Sequence, residues 1–333
     1  MKKIITIEEN IGIPKYRQII NSVEEKIAEK IIKKGDKLPS INKVCLEFKI
    51  SRDTVMLAYD ELKKRGILHA ILGKGYYIKS VEFSFEKRIF LLFDEFNSFK
   101  EDLYNSFLEH MNNNAQIDIF FHHFNTEMFK KLVNESHGNY SKYVIMPSNL
   151  KGIADTIKSL PKNDVYILDQ TNELLNEFPS VHQNFIEDMY NGLKQGQHLL
   201  NKYQKLVLIF PGNKEPTGMV DGFLKFCNEF EYQNEIIHDF DKQIIDEGTL
   251  FIIPSDRHLV SVIEQGKIQS YILGENYGVI SYNDTVLKKI VGNGISTIST
   301  DFYSMGKILA EMILENSKNQ VQNHSKLILR NSF

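Results

Sequence analysis

Residues 35–66 read GDKLPSINKVCLEFKISRDTVMLAYDELKKRG, and this stretch decides the fold of the first part of the chain. Ser40 and Ser51 each precede a short run whose apolar residues recur at helical spacing, which is where helix N-caps stand. Gly66 is expected to end the second run, because glycine readily adopts the left-handed conformation that closes helices. The stretch therefore predicts two short helices joined by a tight turn, a helix-turn-helix.

The sequence on either side extends this unit. Pro14 suits the first turn of an earlier amphipathic helix, which we expect to end at Gly35. The apolar stripe of this helix has spacings of three and four: Tyr16, Ile19, Ile20, Val23, Ile27 and Ile31. Downstream, residues 67–78 predict a hairpin with a glycine-rich turn at 73–75. Three helices followed by a hairpin predict a winged helix-turn-helix head over residues 1–80.

The charge is divided unevenly along the chain. The 333 residues carry a formal net charge of −3, but the first 80 hold 17 Lys and Arg against 10 Asp and Glu, a net of +7. The remaining residues hold 23 basic and 33 acidic side chains, a net of −10. A small basic unit joined to a large acidic one is expected where one end of a protein binds a polyanion such as DNA.

A helix-turn-helix places the start of its last helix in the major groove of DNA. Here that start contains Arg52, whose guanidinium can form two hydrogen bonds to a guanine edge. The helix N-termini at Ser40 and Ser51 offer backbone N–H groups to phosphates, and Lys74 at the wing tip can approach the minor groove or a phosphate. Taken alone, Arg52 more often forms a surface salt bridge and Lys74 a solvated turn. Their register on one fold favours DNA binding.

The head resembles the DNA-binding domain of the GntR family over nearly all of residues 12–79. The resemblance rests on the segments PKYRQI, GDKLPS, SRDTV and GKGY, which begin at residues 14, 35, 51 and 73, and on residues 62–66. It implies a homodimer that binds a palindromic operator in double-stranded DNA.

One position departs from the family pattern. A Glu-Arg pair usually follows the Leu-Pro-Ser turn, and this arginine contacts DNA in the family, whereas Ile41 and Asn42 stand here. We expect Asn42 or Lys43 to replace the arginine. The residues predicted to bind DNA are Ser40, Asn42, Lys43, Ser51, Arg52, Thr54, Lys74 and Gly75.

Residues 88–333 follow a short connector at 81–87, and in them apolar runs of strand length alternate with amphipathic runs of helix length. A first series closes with a helix at 187–201, and a second begins with a strand at 206–210 and includes a helix at 284–291. This alternation predicts parallel sheets covered on both faces, so we expect a two-lobed α/β domain of two doubly wound parallel sheets. Ligands in such folds bind beyond the C-terminal ends of the strands, here in a cleft between the lobes.

Polar side chains follow these apolar runs: Asp94, Ser148, Asn149, Asp169, Gln170, Ser255, Asp256, Asn283 and Asp284. Short acceptor side chains suit the hydroxyl groups of a sugar, and aromatic residues such as Phe96, Phe185 or Tyr282 can stack on its apolar face. The alternative is that these polar residues only cap the following helices, Asp256 and Asp284 above all. Several of them can do both.

This region resembles the effector domain of the LacI family, itself similar to periplasmic sugar-binding proteins, over essentially all of residues 88–315. The segments that carry the resemblance are LFIIPSD, GVISYND and ISTDF, which begin at residues 250, 278 and 298, together with residues 181–184. It implies an effector-binding and dimerisation domain. The positions that it assigns to the effector are Asp94, Asp169, Gln183, Asn184, Asp256 and Asn283.

A second departure bears on the ligand. LacI-type domains commonly have an arginine before a Gly-Phe pair, where it often binds an acidic or hydroxyl-rich ligand, but Val220 and Asp221 stand here. This loss disfavours a carboxylate effector and favours a neutral one. A GntR head on a LacI-type sensor is the arrangement of arabinose-responsive repressors, so the resemblance implies a monosaccharide effector such as arabinose or fucose.

Other classes of protein fit the sequence less well. An aminotransferase-like domain, which occurs in one branch of the GntR proteins, needs more residues than follow position 88. The phosphate-binding Gly-x-x-x-x-Gly-Lys-Ser/Thr loop, the Gly-x-Ser-x-Gly elbow and the His-Glu-x-x-His motif do not occur, so we expect no enzyme, no cofactor and no metal. His122 and His123 are interpreted as surface histidines. Cys45 and Cys227 are interpreted as two buried thiols in a reducing cytoplasm.

The apolar runs are all far shorter than the ~18 residues that a membrane helix needs, so we expect no membrane partner. The sequence therefore predicts a cytoplasmic, ligand-responsive transcriptional repressor whose effector modulates its affinity for DNA. Two alternatives remain, a regulator whose ligand pocket is vestigial and an enzyme fused to a DNA-binding head.

Overall fold

The structure, a computed structural model, describes residues 4–9, 13–81, 87–112, 115–212, 214–241 and 243–333. The first part contains three helices and a hairpin: α1 (Lys15–Ala28), α2 (Ile41–Phe48), α3 (Arg52–Lys64), β1 (Leu68–Ile71) and β2 (Gly75–Ile78). Both predicted caps form, because the Ser40 and Ser51 hydroxyls accept hydrogen bonds from the backbone N–H groups of Lys43 and Thr54. Since β1 and β2 pair antiparallel, this part is the predicted winged helix-turn-helix.

The first helix ends earlier than predicted. Its last residue is Ala28, and Lys30 turns the chain away with a positive φ of 57°, well before Gly35. Ile32 is buried in the core of the head, where the apolar spacing had placed Ile31. The error arises because apolar spacing does not reveal a non-glycine residue in the left-handed conformation.

An extended arm ahead of α1 packs along that helix. Ile5 is buried in the core of the head. The Thr6 N–H donates to the Ser22 hydroxyl at 3.1 Å, and this hydroxyl donates to the Thr6 carbonyl at 3.0 Å. The Gln18 amide likewise accepts from the Glu8 N–H and donates to the Glu8 carbonyl. These paired bonds add a segment to the head that the sequence analysis missed.

The rest of the described chain forms two lobes, each built on a six-stranded sheet. Lobe one contains β3 (Lys87–Phe93), α4 (Ser98–Met111), β4 (Ala115–Phe121), α5 (Thr126–Ser136), β5 (Lys142–Ile145), α6 (Ala154–Lys158), β6 (Val165–Asp169), β7 (Ser180–His182), α10 (Phe302–Glu315) and β13 (Gln320–Gln322). Its strand order is β13-β7-β6-β5-β3-β4, with every neighbouring pair parallel. Along β3, Ile89, Leu91 and Phe93 pack into one apolar cluster and Phe90 and Leu92 into another, so both faces are covered.

Lobe two repeats this plan. It contains α7 (Phe185–Gln195), β8 (Lys205–Ile209), α8 (Gly218–Glu229), β9 (Asn234–Ile237), β10 (Thr249–Ile253), α9 (Asp256–Ile268), β11 (Tyr277–Tyr282), β12 (Ser296–Thr300) and β14 (Ser325–Ile328). Its strand order is β14-β12-β11-β10-β8-β9, and β14 alone among these strands pairs antiparallel. The two doubly wound lobes predicted from the sequence are therefore confirmed.

The chain crosses between the lobes three times, which the sequence analysis did not foresee. It leaves lobe one after β7, returns after β12 and leaves again after β13. The last helix therefore belongs to lobe one, where Gly306 of α10 lies so close to α4 that a Cβ would be 2.2 Å from the Leu103 carbonyl oxygen. The helix predicted at 187–201 belongs to lobe two, ends at Gln195 and continues as a 3₁₀ turn.

The prediction of a helix at 284–291 is wrong. Two short 3₁₀ turns, Leu287–Lys289 and Val291–Asn293, stand there instead. Gly292, inside the second turn, takes a positive φ of 57°, which no continuous right-handed helix accommodates. The aliphatic side chains of this segment consequently remain on the surface.

The connector predicted at 81–87 falls mostly outside the described residues, since 82–86 are not among them. In the part of the chain that the structure describes, no helix is both long and apolar enough to span a bilayer.

Candidate functional site

The exposed face of α3 carries the side chain that the sequence predicts to read a base. Arg52 is the first residue of α3, and its Nη1 donates a hydrogen bond to Asn42 Oδ1 at 2.9 Å. Asn42 lies in the first turn of α2, at the position where an arginine was expected. A guanidinium has five N–H donors, so this bond restrains the side chain and is compatible with two further bonds to a guanine edge.

The N-termini of α2 and α3 lie at the predicted phosphate positions. The cap bonds to the Ser40 and Ser51 hydroxyls measure 3.3 and 3.2 Å, and Ser51 Oγ also lies 2.7 Å from Thr54 Oγ1. The hydroxyls thus act within the helices. The remaining backbone N–H groups of the first turn of each helix can donate to an anion such as a phosphate. In α2 the exposed Lys43 lies in this first turn.

The wing adds positive charge beside this face. Lys74 is exposed in the hairpin turn, and Gly75 follows it with a φ of 105°, a conformation that favours glycine. A Cβ at Gly75 would lie 3.3 Å from Lys37 Cε, and Lys37 Nζ lies 5.8 Å from the centroid of the Tyr77 ring. The sequence analysis missed Lys37. The structure therefore puts the predicted DNA-binding residues at two helix N-termini and a wing, and their role stays a prediction.

A cavity of about 360 Å³ lies between the lobes, beyond the C-terminal ends of the strands. Five of the six predicted effector residues line it: Asp94, Asp169, Gln183, Asp256 and Asn283. Asn184 does not line it, and its side chain instead caps α7 by accepting from the Glu187 N–H at 3.3 Å. Phe185 and Tyr282 also line the cavity, whereas Phe96 packs against Phe121 outside it.

The floor of the cleft in lobe one is a buried ion pair. Asp94 Oδ1 accepts from Lys100 Nζ and from the Glu95 N–H, while its Oδ2 accepts from the Ser148 hydroxyl at 2.8 Å. The Lys100 and Asp94 side chains are only 6% and 5% exposed. Lys100 was not predicted, because a lysine in the first turn of a helix normally indicates a solvated face. Here α4 directs it back over the end of β3.

Asp169 is the second buried carboxylate of this floor. Gln183 Nε2 donates to its Oδ1 at 2.5 Å. Burial raises the pKa of Asp169 to about 6. The Lys100 ammonium acts to lower this pKa, and the Asp94 carboxylate acts to raise it further. The site therefore contains one carboxyl that titrates within two units of neutral pH.

Three residues at strand ends around the cleft have left-handed backbones. Ser148, Asp169 and Asn283 have φ values of 52°, 71° and 59°. Such conformations cost energy in non-glycine residues, and they cluster at binding sites, where they direct side chains or carbonyls toward a ligand.

The wall in lobe two is organised by Lys288. Its Nζ donates to the Tyr282 and Asn283 carbonyls at 2.9 and 2.8 Å and pairs with Asp256 Oδ1 at 2.9 Å. Burial lowers the pKa of Lys288. Asp284, predicted as a helix cap, instead forms a bidentate pair with Arg330 at 2.7 Å for both bonds and does not line the cavity.

Three buried side-chain oxygens at the cleft have no partner among the described residues. They are the amide oxygens Gln183 Oε1 and Asn283 Oδ1 and the Tyr282 hydroxyl. All three residues line the cavity. Because a buried acceptor without a donor is costly, these atoms mark where a ligand with hydroxyl or amine donors gains most.

The mouth of the cleft is bridged by a loop of lobe two. Asn149 Nδ2 of lobe one donates to the Glu215 and Lys214 carbonyls at 2.8 and 3.3 Å. Lys214 Nζ pairs with Glu95 at 2.5 Å and lies 4.8 Å from the centroid of the Phe124 ring. The lobes are therefore held together in this conformation by exposed polar contacts.

The two adjacent histidines near this mouth differ. His122 is fully buried, and its Nε2 lies 3.0 Å from the Met146 carbonyl, whereas His123 is exposed. The prediction of two surface histidines is therefore wrong for His122. Burial lowers the pKa of His122, which keeps its ring neutral. Within the described ranges, no three acidic, histidine or cysteine side chains gather as a metal site requires.

One residue, Asn323, joins the three crossings between the lobes. Its backbone N–H donates to the His182 carbonyl at 2.7 Å. Its side-chain Nδ2 donates to Thr300 Oγ1 at 2.8 Å and to the Asp301 carbonyl at 3.0 Å. Residues of all three connections thus meet at Asn323, which is buried.

Comparison with known proteins identifies the head. The model of the family described as bacterial regulatory proteins, gntR family, matches residues 15–78. The chain is 37% identical over 75 residues to the HTH-type transcriptional repressor YtrA of Bacillus subtilis (strain 168), a match that covers 22% of this chain and 58% of that protein. The chain thus spans little more than half the length of this curated relative. Residues 15–78 form a GntR-type helix-turn-helix domain.

The two lobes are similar to solved structures. The dimeric Lac repressor with an 11-residue C-terminal deletion has a TM-score of 0.62 and 15% identity, covering 74% of this chain and 98% of that one. A periplasmic binding protein/LacI transcriptional regulator from Alkaliphilus metalliredigens QYMF, complexed with D-xylulofuranose, has a TM-score of 0.58 and 16% identity, covering 74% and 99%. These likenesses show a LacI-type fold. The predicted fusion of a GntR-type head with a LacI-type domain is therefore confirmed.

Proposed function

We propose that this chain is a transcriptional repressor that binds a palindromic operator as a homodimer. In this proposal a neutral monosaccharide in the cleft between the lobes alters its affinity for DNA. The observation that carries the proposal is a basic GntR-type head joined to a two-lobed domain with a polar cleft. The lysines of this cleft are already paired with carboxylates, and some of its buried acceptor oxygens have no hydrogen-bond donor. In this proposal the chain catalyses no reaction.

The charges around the cleft favour a neutral ligand. Lys100 is paired with Asp94, Lys288 with Asp256 and Lys214 with Glu95. These are the three lysines that line the cavity, and no arginine is among its described lining residues. A carboxylate or phosphate ligand would compete with an existing partner for each cation, and it would lie near the buried Asp169.

The unpartnered acceptors favour a polyol. Gln183 Oε1 and Asn283 Oδ1 need donors, and the hydroxyl groups of a pentose or hexose supply them. Phe185 and Tyr282 offer ring faces to the apolar side of a sugar. The volume of about 360 Å³ suits a small ligand. The D-xylulofuranose bound by one structural neighbour belongs to the same chemical class.

An apolar surface on lobe two supports the homodimer. Four aliphatic side chains there are between 55% and 74% exposed: Ile272, Val286, Leu287 and Ile290. Three of them belong to one segment, 286–290, and Gly292 at its end packs against Leu273, the neighbour of Ile272, so closely that a Cβ would be 2.7 Å from Leu273 Cδ2. Exposed apolar patches of this kind mark association surfaces, and a two-fold dimer would cover the same patch on both copies.

The first experiment is a thermal-shift screen of the full chain with neutral monosaccharides, including arabinose, fucose and xylulose. A ligand present at about 100 times its Kd stabilises the folded state by about 2.7 kcal/mol, which gives a readily measured rise in Tm. Galacturonate serves as the control, because its carboxylate should find no free cation. If no neutral sugar raises the Tm, the pocket is vestigial and the effector half of the proposal fails.

The second experiment measures DNA binding with and without the sugar found in the screen. The operator is first selected from random duplexes with the purified chain, and affinity is then measured at one fixed salt concentration. The proposal expects the sugar to change operator affinity at least severalfold. An affinity that saturating sugar leaves unchanged contradicts it.

A further inference from the structure

The recognition helix exposes an uncharged side chain beside Arg52. Met56 of α3 is 39% exposed. The residues of this helix that are buried in the core of the head are Val55, Ala58, Tyr59 and Leu62. An exposed methionine gains nothing from a phosphate, so its most favourable contact in a DNA groove is an apolar one.

Helix geometry puts Met56 on the same face as Arg52. Four residues rotate the helix by about 400°, so the two side chains lie about 40° apart, whereas Leu57 is about 140° from Arg52. The rise between them is about 6 Å, which corresponds to roughly two base-pair steps of 3.4 Å. The bond from Arg52 to Asn42 fixes the guanidinium at one end of this face.

We propose that Met56 contacts the C5-methyl group of a thymine, within two base pairs of the guanine that Arg52 bonds. The thymine methyl is the one apolar group that a base presents in the major groove. The flexible thioether of methionine adapts readily to such a small apolar target. This inference rests on the proposed DNA-binding function of the head and adds a second base to the site that α3 reads.

The test begins with duplexes selected by the full chain from a random library. The selected half-site should contain a guanine and, within two base pairs, a thymine. Replacing this thymine by deoxyuridine removes only the methyl group and should weaken binding about fourfold, the effect of withdrawing one methyl group from an apolar contact. A half-site without such a thymine, or equal affinity for the thymine and uracil duplexes, overturns the inference.

Two variants identify the side chain responsible. Met56→Ala should bind the thymine and uracil duplexes equally well. The matched control is Met128→Ala, which removes a methionine of 43% exposure from α5 in lobe one and should retain the fourfold difference. If Met56→Ala also retains it, another side chain such as Leu57 makes the contact and the inference is wrong.

Arg52→Ala separates this failure from failure of the proposed function. If the wild-type chain selects a sequence and Arg52→Ala loses the preference for guanine, the head reads DNA as proposed. In that case a missing uracil effect overturns only the role of Met56. If the wild-type chain selects no sequence, both proposals fall.

Discussion

Replacing Lys100 by methionine tests the ion pair at the floor of the cleft. The Lys100 and Asp94 side chains are 6% and 5% exposed, so removing the ammonium leaves a carboxylate buried without its counter-charge. Loss of one partner from a buried pair costs about 3–5 kcal/mol of unfolding free energy. Asp94 keeps its bonds from Ser148 and the Glu95 N–H, which sets the expected loss near about 3 kcal/mol.

Urea unfolding followed by far-ultraviolet circular dichroism measures this loss, since the sequence has no tryptophan to report by fluorescence. With an m-value of about 3 kcal/mol per molar, the midpoint should fall by about 1 M. The matched control is Lys214→Met, because Lys214 and Glu95 are 52% and 35% exposed and such a pair contributes less than about 1 kcal/mol.

The comparison between the two lysine variants tests whether burial of the Lys100–Asp94 pair causes the loss of stability. A loss for Lys100→Met no larger than that for Lys214→Met refutes the buried-pair reasoning. The double variant Asp94→Asn with Lys100→Met removes both charges and should regain most of the lost stability. A double variant as unstable as Lys100→Met alone would show that packing around the lysine stem, and not the unpaired carboxylate, causes the loss.

Three further predictions concern the other carboxylate of the cleft, the head and the apolar surface. The raised pKa of Asp169 means that its ionised form costs folding free energy above pH 6, and this cost disappears below about pH 4. Asp169→Asn should therefore raise the free energy of unfolding in urea at pH 8, by at most about 3 kcal/mol, and change it little at pH 4; equal changes at both pH values contradict this. Arg52→Ala should weaken specific operator binding by about 1–3 kcal/mol in a fluorescence-anisotropy titration, and unchanged binding would mean that α3 does not enter the groove. Ile290→Asp should convert the proposed dimer to monomers in analytical ultracentrifugation without lowering the Tm of the head, and a variant that sediments as the wild type does would rule out this surface.

Local features of the fold were predictable because they depend on neighbouring residues. The caps at Ser40 and Ser51 follow from one side chain and the run after it. The strand at 206–210 was predicted because a parallel strand covered on both faces must be continuously apolar, and β8 is packed in that way.

Features that depend on distant partners were not predictable. The final helix continues the β/α alternation of the second series, yet it packs on α4 of lobe one. Asp284 sits at a strand end and looks like a cap, but its partner Arg330 lies 46 residues later in the sequence. Lys100 pairs with Asp94 only because α4 folds back over the strand. Spacing along the chain contains no information about such pairings.

The hydrogen bonds that join Asn323 to the other two connections between the lobes bear on how the lobes can move. Its main chain is bonded to one crossing and its side-chain amide to another, so we expect a rotation of one lobe against the other to pivot near this residue. The head continues into lobe one, whereas the surface proposed for the dimer lies on lobe two. In that dimer, closing the cleft would move lobe one and its attached head relative to the dimer surface, so a change in the angle between the lobes would change the separation of the two heads. If a ligand closes the cleft as proposed, its binding would favour operators whose half-sites are separated by a particular number of base pairs, each of which adds about 3.4 Å.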